Sequence, residues 1–212
     1  MNRWLVFSLL LTLTGCQSAY YAAWEKVGVE KRDILVDRVE NAKESQEEAQ
    51  QQFSSALEQF SALINFQGGE LQEVYSSLKD EYEGSEKAAN NVTERINKVE
   101  SVADALFSEW QDELEKYSND SLRRDSQRKL TDTQKRYKTL LNSMRKAEAK
   151  MAPVLTALQD NVLYLKHNLN ASAIGALQGE FNGIKKDINQ LIKEMNKAIS
   201  ESNAFIAQMQ GE

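Results

Sequence analysis

The chain has 212 residues, of which 27% are charged, with a formal net charge of −6, one proline and one cysteine. That length suits a single domain, the acidic balance argues against nucleic acid as a partner, and a lone cysteine excludes an intramolecular disulfide. A mean hydropathy of −0.58, together with scarce Pro and Gly and abundant Ala, Glu, Lys, Gln and Leu, is the composition of long solvated helices.

The chain opens with Arg3 and an apolar run over residues 4–13, then Leu13, Thr14, Gly15 and Cys16. The run has the length of a secretory leader and is too short to span a bilayer. Leu at −3, small residues at −2 and −1, and Cys at +1 match the bacterial lipobox. Cleavage is expected between Gly15 and Cys16, with the Cys16 thiol carrying the lipid. Two acyl chains make such anchoring stable where one would be marginal. By resemblance to bacterial lipoproteins, in which Asp after the cysteine retains the protein in the inner membrane, Gln17 implies the outer membrane and its periplasmic face. Residues 1–15 are thus expected to be a leader, 16–24 a lipid-anchored segment and 25–212 one helical domain. Tyr20, Tyr21 and Trp24 have two open readings, as a membrane-interface belt or as a cap on the core.

From Leu35 the apolar positions step alternately by four and three: Leu35, Val39, Ala42, Gln46, Ala49, Phe53, Ala56, Phe60, Leu63. This is the seam of a coiled-coil-like helix, with Gln46 as a polar exception that fixes register. Ile34, Leu35 and Val36 are consecutive and cover more than one helix face. They mark either a helix buried on two sides or a candidate partner patch. Gln67, Gly68 and Gly69 should end this helix. A second helix is expected over residues 70–117, with a seam from Leu71 to Tyr117 broken only at Ser85 and Glu113, where Leu114 can take over.

Ser118, Asn119, Asp120 and Ser121 are rich in N-cap formers and open a third helix. Its seam runs Leu130, Thr133, Tyr137, Leu140, Met144, Ala147, Met151, Val154, Leu158, Asn161, Leu165, with Leu141, Leu155, Val162 and Leu169 widening it to a bundle face. Pro153 predicts a kink near residues 150–153, or a break into two helices. Asn170 is the expected N-cap of a fourth helix carrying Ile174, Leu177, Phe181, Ile184, Ile188, Leu191, Met195, Ala198, Ser202, Phe205 and Met209. Short connections make neighbouring helices antiparallel. The expected fold is all-α, an elongated antiparallel four-helix bundle with both termini at one end.

Charge is unevenly spread. Residues 17–118 hold 22 Asp/Glu against 10 Lys/Arg, and residues 119–212 hold 10 against 15. The basic third helix is expected to pair with acidic neighbours; its Arg123, Arg124 and Arg128 are alternatively candidates for an anionic envelope ligand. Gly175, Gly179 and Gly183 recur every four residues. Each costs roughly 1 kcal/mol against Ala inside a helix, so close helix packing is expected there, within the chain in preference to a second copy. The only histidine, His167, sits at a helix end, and no Glu-x-x-His pair is present. No metal, cofactor or catalytic constellation is therefore expected, although an enzyme with an unrecognised carboxylate site stays a second alternative.

With the lipobox, the segment over residues 20–39 (Tyr20 and Tyr21, then Trp24 through the Ile34, Leu35, Val36 run to Val39) and four helical stretches, the chain resembles a family of proteobacterial lipoproteins known only as a domain of unknown function. The resemblance covers essentially the whole chain and brings no activity with it. The expected role is structural or adaptor: a rod tethered by lipid that meets an envelope protein or the cell-wall layer.

Overall fold

The computed structural model describes residues 30–66, 68 and 70–211. Gly15 and Cys16 with the rest of the lipobox, Tyr20, Tyr21 and Trp24, and Gln67 and Gly69 lie outside the described residues. Four helices follow one another: α1 (Lys31–Ile64), α2 (Leu71–Leu114), α3 (Asp120–His167) and α4 (Ala171–Gln210). At 1.5 Å per residue they are roughly 50–70 Å long.

The apolar periodicity explains why these are helices and which side of each is buried. Every expected seam position of α1 is buried, from Leu35 to Leu63. The expected seam of α3 is likewise buried throughout, from Leu130 to Leu165. In α2 the seam is buried from Leu78 to Leu106 apart from the half-buried Tyr82, and Leu114 takes the place of the exposed Glu113. Two apolar residues expected on the buried stripes are exposed. Tyr117 is exposed because α2 ends at Leu114, and Leu169 is exposed because α3 ends at His167.

The ends are set by local chemistry. The Asn119 side chain accepts hydrogen bonds from the Ser121 and Leu122 amides at 2.9 and 3.2 Å, and Asn170 accepts one from the Ala173 amide at 3.1 Å. These satisfy amides that the first helical turn leaves unpaired. Gly68, at φ +128°, takes a backbone conformation that a side chain would strain. Pro153 is exposed, and α3 runs through it as one helix, so the chain does not divide there.

α1 packs on α2 and α4, and α3 packs on α2 and α4, so the four helices close a ring around one core. Cross-helix bonds fix the directions. Along α1, Lys31, Asn41 and Gln52 reach Glu109, Arg95 and Glu81 in turn, so α2 runs antiparallel to it. Gln50 and the Ile64 carbonyl meet Asn196 and Gln178, which makes α4 antiparallel to α1 as well. Trp110 meets Ser126, and Arg145 meets Asn97, which orders α3 against α2. The start of α1, the α2–α3 turn and the end of α4 therefore share one end of the bundle.

Buried polar seam residues are mostly satisfied by their own helix: Ser85 Oγ donates to the Glu81 carbonyl and Ser202 Oγ to the Ala198 carbonyl, both at 2.8 Å. Gln46 differs. It is wholly buried, and neither its Oε1 nor its Nε2 has a partner. A buried amide without partners costs the core its desolvation with no hydrogen bond in return.

Candidate functional site

The three arginines singled out in the sequence come together in space. Arg123, Arg124 and Arg128 line one open groove between the end of α2 and the start of α3, with Gln111, Leu114, Glu115 and Gln127. The Asn119 cap starts α3 at the point that swings its first three turns past α2. Trp110 Nε1 donates to Ser126 Oγ at 2.8 Å and ties the two helices together beside the groove.

The arginines keep only local company. Arg123 Nη2 donates to Asp120 at 2.8 Å and Arg128 Nη2 to Asp125 at 2.9 Å, both three residues away on the same helix. Lys129 Nζ also reaches Asp125, at 3.0 Å. Hydrogen bonds from Arg128 and then Lys129 hold the Asp125 carboxyl below the ordinary range. Arg124 makes no hydrogen bond or ion pair among the described residues. Exposed pairs of this kind contribute little to stability.

Farther along α3 the same residue types are engaged across the bundle. Arg145 donates to Glu100 and to Asn97 Oδ1 on α2, the latter at 2.7 Å, and to Glu148 on its own helix at 2.8 Å. Desolvation lowers its pKa, but the hydrogen bonds to Glu148 and Glu100 outweigh that and raise it. Lys146 Nζ lies 2.9 Å from Glu194 of α4, whose carboxyl it holds below the ordinary range by hydrogen bonding. Of the charge pairing expected with the acidic helices, Arg145 supplies the contact to α2, while Lys146 pairs with α4 instead.

On the same helix as Arg145, Tyr137 is buried, with its ring edge-on to Phe107 at 5.4 Å and its hydroxyl unpartnered. Burial, with the charges of Glu100 and Asp104, pushes its pKa well above the tyrosine range.

Other sequence candidates are placed differently. Ile34 and Leu35 are buried in the core and Val36 packs against it, so all three are committed to the bundle, as a helix buried on two sides requires. Gly175, Gly179 and Gly183 are exposed, and a Cβ added at any of them would meet nothing within 4 Å. The close intrachain packing expected there is absent: the three lie on the outer side of α4, roughly opposite Ile174, Leu177 and Ile184. The glycine at a close approach is Gly84, where a Cβ would come 2.7 Å from Gln52 Nε2. Gln52 in turn donates to Glu81 at 2.6 Å. A single glycine on a polar helix face gives no periodic signal, so the sequence did not single it out.

His167 is exposed in the last turn of α3, where a cation suits the helix dipole. Among the described residues, no group of three or more His, Cys, Asp or Glu side chains could hold a metal ion, and no helix is long and apolar enough to cross a membrane. What the arginine groove can do chemically is donate hydrogen bonds to an anion, since guanidinium forks match phosphate and carboxylate geometry.

A family model described as Protein of unknown function (DUF2959) matches residues 20–209, and the chain belongs to that family. No curated protein and no solved structure matches it.

Proposed function

We propose that the chain is a lipid-anchored helical lipoprotein of the outer membrane, facing the periplasm, with a structural or adaptor role and no catalytic one. The observation that carries the reading is the lipobox ending in Gly15 and Cys16, directly after an apolar run of leader length. The bundle suits that role. Its buried seams make a stiff rod, and the chain enters it at one end, so a tether there would hold the rod by its tip. The partner is an envelope protein or the cell-wall layer, met along the sides or at the far end, where the 65–70 and 168–170 connections lie.

The reading is tested by replacing Cys16→Ser in the producing cell. Fatty-acid labelling should disappear, and crosslinks formed from the far end of the rod to its envelope partner should be lost. Retained labelling, or an unchanged crosslink pattern, would count against it.

A further inference from the structure

We infer that the groove between α2 and α3 is a docking site for the anionic phosphate headgroups of the membrane that tethers the chain. The inference rests on the anchor proposed above and gives that anchor an orientation.

Three observations carry it. First, the charged side chains lining the groove are Arg123, Arg124 and Arg128 against Glu115 alone. Arg124 has no partner among the described residues, and Arg123 and Arg128 are shown donating only through Nη2, to exposed acids of their own helix. A guanidinium carries five donors, so each can hold a phosphate oxygen without leaving its aspartate.

Second, position. The groove is at the end of the bundle where α1 begins. The roughly 14 residues between Cys16 and Glu30 reach at most about 50 Å when extended, or about 20 Å when helical, so this end can meet the bilayer surface.

Third, the same end presents Leu122 and Tyr117, 56% and 40% exposed. An apolar body beside basic heads suits the membrane–water interface. The Arg145 and Lys146 pair farther along α3 lacks this freedom, because Glu100 and Glu194 hold it.

The acids beside the groove (Asp112, Glu113, Asp120 and Asp125) limit what it can do alone. Their field weakens long-range attraction and leaves short-range hydrogen bonding to decide. The tether supplies the high effective concentration that such a contact needs. The groove therefore orients the rod on the membrane rather than recruiting it there.

The test uses the full acylated chain in vesicles of neutral phosphatidylcholine, or of phosphatidylcholine mixed with anionic phosphatidylglycerol, both with a headgroup-attached quencher. With Cys16 occupied by lipid, Leu122→Cys or Leu169→Cys supplies the only free thiol for a fluorophore. Quenching at position 122 should rise at least about twofold in the anionic vesicles, and the probe at 169, at the opposite end, should not respond. The rise should vanish in the Arg123→Glu, Arg124→Glu, Arg128→Glu triple variant and shrink in the corresponding Gln variant. Equal quenching in both vesicles, or a rise that survives charge reversal, overturns the inference. Inorganic phosphate should compete the rise away more strongly than chloride of equal ionic strength; equal loss in both salts would leave only charge screening and would overturn docking by hydrogen bonding. Failure of the anchor reads differently, as a titratable Cys16 thiol in the unlabelled chain.

Discussion

The two halves of α3 use the same residue types to opposite ends. Around Arg145 and Lys146 the cations reach across to Glu100 of α2 and Glu194 of α4 and link three helices. Around Arg123, Arg124 and Arg128 they reach only acids on their own helix or none among the described residues, and they border an open groove. A basic run is therefore not one feature. What each cation does is set by what the neighbouring helices put opposite it, and that depends on register.

This contrast can be broken at several depths. The largest effect is expected beneath the linked half, where Met144 is wholly buried. Met144→Ala should destabilise the chain by about 2–5 kcal/mol in urea unfolding, through lost burial and the cavity left behind. Next, Arg145→Ala should cost about 1–2 kcal/mol, since it removes charge-assisted hydrogen bonds to two helices and leaves Glu100 short of a partner. Arg128→Ala, in the open half, should stay within about 0.5 kcal/mol. Similar losses for the two arginine variants would erase the distinction.

Tyr137 gives a pH-dependent version of the same comparison. Its phenol ionises less readily in the folded chain than in the unfolded one, because burial and then Glu100 and Asp104 oppose the charge. The unfolded chain thus releases this proton first. The stability it contributes is complete below the ordinary tyrosine pKa of about 10 and declines as the pH rises above it. Tyr137→Phe should flatten that alkaline decline. Deleting an unpartnered buried hydroxyl, it should be neutral or stabilising at pH 7 by up to about 1–2 kcal/mol. A lower melting temperature in the variant at pH 7 would mean that the hydroxyl has a partner.

Most of the fold was legible because one periodicity governs it. A four–three spacing names the buried stripe, short connections force antiparallel neighbours, and Asn119 and Asn170 mark helix starts by their side-chain chemistry. The glycine stripe was misread for a reason that the same arithmetic exposes. At about 100° per residue, Gly175, Gly179 and Gly183 lie nearly opposite the Ile174, Leu177 and Ile184 stripe, so they had to face away from the core. Spacing says which residues share a face; only the apolar stripe of that helix says which face is inside. Tyr117 and Leu169 failed differently, since the periodicity ran on past the residues where the helices stop.

The arginine groove was half legible. The sequence put Arg123, Arg124 and Arg128 together on one helix but could not tell them from Arg145 and Lys146. That separation needs the register of α3 against α2 and α4, which no single helix encodes. Gln46 was legible as a polar seam residue, but not that both ends of its amide would be unpartnered.

The account stands on Cys16, and the mass of the N-terminal peptide of the protein extracted from membranes tests it most directly. The prediction is a peptide that begins at Cys16 and carries a diacylglyceryl group on the thiol. A peptide that begins at Met1, or one in which Cys16 is present as a free thiol, would contradict it.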